Sequence, residues 1–569
     1  MTEKILVAVA WPYANGSLHL GQIAGAYLPA DIFARYHRLK GNDVLMVSGS
    51  DQHGTPITIK AEQEGKKPGE IAGRYHREFL ESWQRLGISF DLFTTTGTEN
   101  HTEVVQDLFL TLLEKGYIYK AKVSQPYCPQ CNRFLPDRYI EGTCPFCGSA
   151  GARGDQCDDC GKPMNPAELL EPRCRLCAAA PVFEESEHFF LKLSAFQKKL
   201  LEWVKPKSHW RKNVLNFTTR YLEDGLKDRA ITRDIDWGVP VPLEGYENKR
   251  IYVWFEAVIG YLSASKEWAK SGGDGEGWRP FWQGDDSKSY YFIGKDNIPF
   301  HTIIWPAMLM GYGGLNRPYD VPANEFLTIE GKKLSTSRNW AVWLPDYLSR
   351  YEPDPLRYLL SINMPESGDT DFSWREFFRR NNDELVATYG NLVHRVLTFV
   401  YRNFDGCVPT YADMGATINV PPLDSRDSEL IDKAIAVYNH IYADGGLLSA
   451  CHFKRAIMMA MTIAQETNRY LDEKSPWKII KENRGAAATS LYVAICAISY
   501  LKTMLYPFLP FSSQKVHEFL GFKGSIEDYV RKYPLQPLPT PGQKLGEPEP
   551  LFTKLDDKLI DEETARLGV

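Results

Sequence analysis

An excess of positive charge is the first thing this chain of 569 residues lacks. Against 72 Asp and Glu stand 66 Lys and Arg, a formal net charge of −6. A globally basic surface is excluded, so a nucleic-acid partner would have to be met by local patches. No apolar run reaches the roughly 18 residues of a membrane span. Met1-Thr2-Glu3-Lys4 leads straight into an apolar strand pattern, with no signal-peptide pattern. The expectation is a cytoplasmic protein without membrane contact. Internal repeats and low-complexity segments are also missing. Cysteine is sparse outside one region. Of 11 in all, eight lie between Cys128 and Cys177. Cys407, Cys451 and Cys496 stand alone and read as buried hydrophobes. What is there is ordinary for a globular protein, 43% hydrophobic and 24% charged, with length for roughly three to five domains.

The richest stretch follows the strand pattern Ile5-Leu6-Val7-Ala8-Val9. It reads Ala10-Trp11-Pro12-Tyr13-Ala14-Asn15-Gly16-Ser17-Leu18-His19-Leu20-Gly21-Gln22 and precedes a helical pattern over residues 23–39. Open parallel α/β sheets gather ligands at such strand-to-helix turns, because helix N–H groups point at bound anions there. A His, two Gly and an Asn suit phosphate. Pro29 inside the helical pattern predicts a kink or a short break. A second strand, Val44-Leu45-Met46-Val47, ends in Ser48-Gly49-Ser50-Asp51-Gln52-His53-Gly54-Thr55-Pro56. Alone, Asp51 reads as the cap of an Asx turn. Beside the first turn, Asp51 and His53 read as part of the same crevice.

Residues 116–230 change character. Cys128 with Cys131, Cys144 with Cys147, Cys157 with Cys160 and Cys174 with Cys177 form four C-x-x-C knuckles. A two-residue loop sets both thiolates on one side of a turn, and four knuckles make two tetrahedral zinc sites. A nested arrangement is expected, with the inner knuckles sharing one ion and the outer knuckles the other. All ligands would be thiolates, which makes these closed structural sites.

The sheet pattern resumes near residue 231. Trp254, Ala257 and Tyr261 recur at helical spacing, as a core stripe or as a pocket wall. Tyr290 to Asp296 reads as a strand and turn, followed by a helix over residues 298–308 with His301 and Trp305 one turn apart. The loop Glu330-Gly331-Lys332-Lys333-Leu334-Ser335-Thr336-Ser337-Arg338 interleaves cations with hydroxyls. It is a solvated charge run or a polyanion loop. From about 375 to 535 the pattern is helical. Asn391 and Arg395 share a face, and Ser475-Pro476-Trp477 opens a helix. Residues 551–567 read as a strand and then a helix packing back.

Pro12-Tyr13-Ala14-Asn15-Gly16 with His19-Leu20-Gly21-Gln22 resembles the first signature of class I aminoacyl-tRNA synthetases. Lys333-Leu334-Ser335-Thr336-Ser337 resembles their second, usually Lys-Met-Ser-Lys-Ser. Together with Asp51 and His53-Gly54-Thr55-Pro56, the knuckles, Tyr252-Val253-Trp254, Ile293-Gly294-Lys295-Asp296 and Ser475-Pro476-Trp477, the whole chain resembles the methionyl-tRNA synthetase family. The resemblance implies an α/β fold: a class I Rossmann catalytic domain with a zinc-binding insertion, then an all-α anticodon-binding domain. In residues, that is a catalytic domain over 1–115 and 231–325, split by an insertion over 116–230. A stem-contact fold over 326–380, a helical domain over 381–535 and an extension over 536–569 follow.

It implies an activity too: methionine and ATP give methionyl-adenylate, and methionine then passes to the 3′ end of tRNA(Met). Tyr13, Trp254, Ala257, Tyr261, Phe300 and His301 would shape the methionine pocket, and Asp51 would hold the ammonium. His19, Gly21, Gln22, Asp296 and Lys333 would meet ATP and its Mg2+, with Thr336, Arg233 and Glu256 beside them. Asn391, Arg395 and Trp477 would read the anticodon. The expected state is a monomer with two structural Zn2+.

Two positions depart from the signatures. Gln22 stands where a second His is usual, and Thr336 where a second Lys is usual, which removes positive charge from the phosphate path. Lys332, Arg338 or Lys295 is expected to substitute in part. Leucyl, isoleucyl and valyl enzymes carry a longer editing insertion than residues 116–230 allow. A cysteinyl enzyme would place zinc in its pocket. A zinc-ribbon RNA-binding protein with a decayed site is the rival from another class.

Overall fold

The computed structural model describes residues 2–154, 157, 159–160, 164, 166–336, 338–417, 420–533 and 538–569. Ser337 of the polyanion-type loop and the expected border at 535–536 lie outside the described residues. Three strands, β1 (Lys4–Val9), β2 (Asp43–Ser50) and β3 (Leu92–Thr95), join Lys288–Gly294 and Ala323–Asn324 in one sheet. The order is Ala323–Asn324, Lys288–Gly294, β1, β2, β3, and every pairing is parallel. Helices on both faces explain why β1 is an unbroken apolar run, with Ile5 to Val9 fully buried. The chain winds outward from β1 through β2 to β3, then returns to the other side of β1 at Lys288–Gly294. The switch point therefore lies between β1 and Lys288–Gly294, and the crevice opens beyond their carboxyl ends.

Both helices at that crevice are interrupted. The first runs as Leu20–Gln22, a π segment Ile23–Tyr27, then Leu28–Leu39. Pro29 lacks an N–H and its ring crowds the carbonyl four residues back, so the preceding turn widens. The second is not the regular helix expected over 298–308. A 3-10 turn Lys295–Asn297 and a π segment Phe300–Ile304 precede the α-helix Trp305–Tyr312, in which Pro306 is the second residue.

The insertion leaves the sheet domain on β4 (Ile118–Cys128) and returns on the antiparallel strand Val182–Leu191. The knuckles lie at the far end of this hairpin. A three-stranded sheet of Lys332–Lys333, Leu327–Ile329 and Thr370–Phe372 follows the catalytic sheet. One helical rod then runs through Trp374–Arg380, a π segment Asn381–Gly390 and Asn391–Asn403. The expected border at 380/381 falls inside that rod.

Long helices follow, Ser425–Tyr442, Phe453–Lys474 and Arg484–Leu505. Arg484–Leu505 corrects one expectation: its length and hydropathy would suffice to cross a membrane, but 94% of its apolar window is buried inside this protein. Cys451 and Cys496 are buried as expected, whereas Cys407 is half-buried. Among the described residues 551–567 form a helix, Leu559–Ala565, and no strand.

Arg357, fully buried, ties the units together. Its guanidinium meets Asp31 of the first helix at 2.7 Å and the carbonyls of Phe508 (2.7 Å) and Pro507 (2.9 Å) in the helical domain. Asp31 also receives Arg35 at 2.9 Å. Burial would raise the Asp31 carboxyl, but the two guanidiniums bring it down to about 2.

Candidate active site

Asp51 sits in the crevice where β2 ends. Its backbone N–H donates to the Pro12 carbonyl (2.8 Å) and its carbonyl accepts from Ala14 N–H (2.8 Å), which fixes Tyr13 beside it. One carboxylate oxygen accepts from His53 N–H at 3.1 Å, the Asx turn expected from the sequence. Asp51 is 3% exposed and has no ion-pair partner among the described residues. Burial, and next the charge of Glu256, push its carboxyl well above the ordinary carboxylate range.

Glu256 does not line the crevice. It is fully buried, with Oε1 at 2.8 Å from His53 Nδ1 and Oε2 at 3.8 Å from His101 Nε2. Burial raises its pKa, and the two imidazoles more than reverse that, leaving it lowered. In this structure Glu256 meets the rings of His53 and His101. His101 was not found in the sequence reading, because 155 positions separate it from Glu256 and nothing local marks it.

The opposite wall is aromatic. His301 Nδ1–H donates to the Asn297 carbonyl (2.9 Å), so its Nε2 accepts from the Tyr261 hydroxyl (2.7 Å). Burial lowers the His301 pKa to about 4, so the ring is neutral at pH 7. Trp254 packs edge-on against Phe300 with ring centroids 4.2 Å apart. It keeps 38% exposure. Ala257 lies half-buried in the 3-10 turn Ala257–Ile259. Arg233 lies 3.7 Å over the ring of Tyr252. Beneath this wall Trp11 fills a slot between two glycines. A Cβ on Gly49 would stand 2.3 Å from its ring and one on Gly260 2.7 Å.

The phosphate side is built on His19, which caps the first helix. Gln22 turns its Oε1 back to accept His19 N–H at 3.0 Å, half of a capping box. His19 Nδ1 is buried without a partner, and burial lowers its pKa to about 4. A Cβ on Gly21 would lie 3.2 Å from both His19 Nδ1 and Leu334 Cδ1, so Gly21 lets the second loop approach the first. Backbone bonds close that junction: Leu20 N–H to the Val342 carbonyl (3.1 Å) and Leu344 N–H to the Leu18 carbonyl (2.7 Å).

Lys333 and Thr336 are exposed on the second loop. Of the three expected substitutes, Lys295 is held by Glu325 (2.7 Å) and Asp369 (2.8 Å), so its charge is already answered. Lys332 sits 4.2 Å over the Trp340 ring, and Arg338 Nε donates to Ser335 Oγ at 3.3 Å. Asp296 is exposed in the 3-10 turn after Lys288–Gly294, and a Cβ on Gly294 would stand 2.7 Å from its Oδ1.

The eight clustered cysteines separate into Cys128, Cys131, Cys174 and Cys177, and Cys144, Cys147, Cys157 and Cys160, the nested pairing. Sulfur–sulfur distances include 3.4 Å (Cys128–Cys177) and 3.9 Å (Cys131–Cys174) in one cluster, and 3.7 Å (Cys147–Cys157) and 3.9 Å (Cys144–Cys160) in the other. Tetrahedral Zn–S bonds of about 2.3 Å require edges of about 3.8 Å, so both clusters could hold a zinc ion. In the helical domain the Arg395 guanidinium lies 4.3 Å over Trp477, while Asn391 is exposed on the same helix as Arg395.

An open parallel sheet with a His-bearing turn at its switch point, a second basic loop docked on it and a cysteine-clustered insertion defines the class I tRNA synthetases. Residues 5–397 match the family model described as tRNA synthetases class I (M), and residues 424–568 match the anticodon binding domain of methionyl tRNA ligase. A methionine–tRNA ligase of Dehalococcoides mccartyi is 63% identical over the full length of both chains. One from Thermomicrobium roseum is 53% identical, covering 100% of this chain and 99% of that one. The solved methionyl-tRNA synthetase of Mycobacterium tuberculosis in complex with methionyl-adenylate superposes with a TM-score of 0.78 at 25% identity, covering 97% of this chain and 100% of that one. The chain belongs to the methionine–tRNA ligase family.

Proposed function

We propose that this crevice condenses methionine with ATP to methionyl-adenylate and pyrophosphate, and that the chain then charges tRNA(Met). The observation that carries the reading is a buried Asp51, with no ion-pair partner among the described residues, bridged to Tyr13, together with the neutral His301–Tyr261 pair. Asp51 takes the α-ammonium. Tyr13, Trp254, Ala257, Tyr261, Phe300 and His301 receive the side chain, where sulfur–ring contacts add roughly 0.3–1.5 kcal/mol. Because Tyr261 spends its proton on His301, both present non-ionic surface to the thioether.

The carboxylate attacks the α-phosphate in line, so positioning and charge stabilisation do the chemistry, with no protein nucleophile. His19, neutral at pH 7, and the N–H groups around Gly21 and Gln22 meet phosphate as hydrogen-bond donors. Lys333, with Lys332 and Arg338, supplies cationic charge, Thr336 a hydroxyl and Asp296 a ribose contact. ATP enters as its magnesium complex. Arg233 steadies Tyr252 beside the pocket, and Glu256 orients His53. Trp477 stacks an anticodon base, with Arg395 and Asn391 reading base edges. The clusters hold two structural Zn2+, and the working form is a cytoplasmic monomer.

Methionine-dependent ATP–pyrophosphate exchange tests the reading. Exchange with methionine and not with leucine or cysteine supports it. No exchange with any of the three overturns it in favour of an RNA-binding module. Loss of tRNA(Met) charging in Trp477→Ala, with exchange retained, separates the helical domain's part.

A further inference from the structure

The second loop has a support that none of the functional motifs accounts for. Ser335 and Trp340 pair through both backbone bonds (3.0 and 2.9 Å), closing a tight loop around Thr336 and Arg338. At its exit Asn339 adopts a left-handed conformation, φ 51°. Its polar groups are committed: Oδ1 accepts from Trp343 Nε1 (2.7 Å), its carbonyl accepts from Gly568 N–H (3.0 Å), and Nδ2 donates to the Val569 carbonyl.

Gly568 also lies against Trp340. A Cβ there would stand 3.3 Å from the indole, on a backbone with φ 81° that a side chain rarely adopts. The segment carrying Gly568 is anchored by the helix Leu559–Ala565, whose Glu563 is 4% exposed. Glu563 takes two guanidinium bonds from Arg350 (both 2.8 Å) and the Tyr351 hydroxyl (2.9 Å). Trp343, at the other end of the Asn339 contact, is bridged to His19. A cavity of about 610 Å³ remains between segment and loop, lined by Trp343, Arg350, Glu563 and Val569 among others.

We infer that residues 559–569 are a strap that positions the back half of the phosphate loop, through Gly568 and Asn339, for the ATP step. The inference rests on the reading that this loop serves ATP. It also gives a physical role to the hydroxyl at Thr336. With one cation fewer, the loop holds phosphate by pre-set donors, and donors act at full strength only when their positions are fixed beforehand. Asn339 and Gly568 are positioning residues and touch no substrate.

Asn339→Gly keeps the left-handed backbone and deletes the side-chain bonds. Gly568→Val strains the strap and pushes on Trp340. Each is measured by ATP–pyrophosphate exchange with ATP and methionine varied separately, with methionine binding by calorimetry and thermal melting alongside. The expected result is a KM for ATP raised at least fivefold and a lowered kcat, with methionine affinity unchanged and the melt near wild type. ATP parameters unchanged in both variants overturn the inference, and so does a parallel loss of methionine binding and melting temperature. A wild-type chain with no exchange at all would instead remove the underlying reading.

Discussion

Replacing Gly260 by Ala in a helix ordinarily stabilises it by about 1 kcal/mol. Here the opposite outcome is expected. Gly260 opens the helix Gly260–Ser271, and a Cβ there would lie 2.7 Å from both Cε2 and Cζ2 of Trp11. Carbon atoms rest at about 3.5–4.0 Å, so the indole or the helix must retreat by roughly 1 Å. The ring cannot retreat, because its far edge already abuts Gly49, whose own Cβ would stand 2.5 Å from Cη2 and 2.6 Å from the Thr94 carbonyl. The helix therefore moves, and Tyr261 moves with it.

Overpacking of this kind costs about 1–3 kcal/mol, and a misplacement of about 1 Å near reacting groups costs about 10²-fold in rate. Gly260→Ala is thus expected to lower kcat/KM for methionine in ATP–pyrophosphate exchange by ten- to a hundredfold. Trp11→Phe, which removes the benzo ring that Gly260 faces, should recover most of the loss when combined with Gly260→Ala, although alone it is itself mildly damaging. A double-mutant cycle reads the coupling directly. Wild-type kinetics in Gly260→Ala, or additive losses in the double variant, would refute the slot as the link between β1 and the methionine wall.

Lys502 is fully buried, with Ser499 Oγ (3.1 Å) as its hydrogen-bond partner among the described residues, and burial lowers its pKa to about 7. The unfolded chain keeps that proton up to the ordinary lysine value and the folded chain does not. Stability of the helical domain should therefore rise between pH 7 and about 10, and Lys502→Met should flatten the rise and be the more stable protein at pH 7 in urea melts. The Asp51 carboxyl, raised by burial and by Glu256, must ionise if it is to hold the ammonium as proposed. Methionine affinity by calorimetry should weaken as pH falls, and Asp51→Asn should weaken binding and remove that dependence. Gln22→Glu should preserve the cap on His19 and raise the KM for ATP several-fold with methionine binding unchanged, because it adds a negative charge where phosphate approaches. Cys144→Ser should lose about one zinc equivalent of two by elemental analysis, since each cluster supplies its own four thiolates.

What could be read from the chain was whatever is local. β1 is a run of apolar residues because both faces of a parallel strand are buried, so its place in the sheet is written in five consecutive letters. The knuckles are legible for the same reason: two residues between cysteines set a thiolate pair without help from the rest of the fold. Pro29 announced a break, but only the packed helix decides that the break is a π turn, and Pro306 stands in the same place after the second π turn at Phe300–Ile304, a signal that went unread. Gly49 and Gly260 lie 211 positions apart and are unremarkable singly. Their meaning is the indole between them. Glu256 was placed beside the ATP groups by the family resemblance alone, and its burial against His53 and His101 is a tertiary fact. The expected border at 380/381 falls between consecutive helical segments, Trp374–Arg380 and Asn381–Gly390, where helical spacing in the sequence shows no interruption.

Gln22 and Thr336 each remove a cation from the phosphate path, and the fold answers each with order. At Gln22 the answer is local. The amide oxygen accepts the His19 N–H, so the uncharged residue holds the one proposed to meet phosphate. Glutamate would cap equally well and repel the substrate. At Thr336 the answer is distant: the loop around it is closed by Ser335 and Trp340 and anchored through Asn339 by residues from the far end of the chain. A cation acts over several ångströms and tolerates a mobile loop, whereas a hydroxyl donor is worth something only within hydrogen-bond reach. A synthetase site that gives up charge for neutral donors therefore needs a stiffer loop.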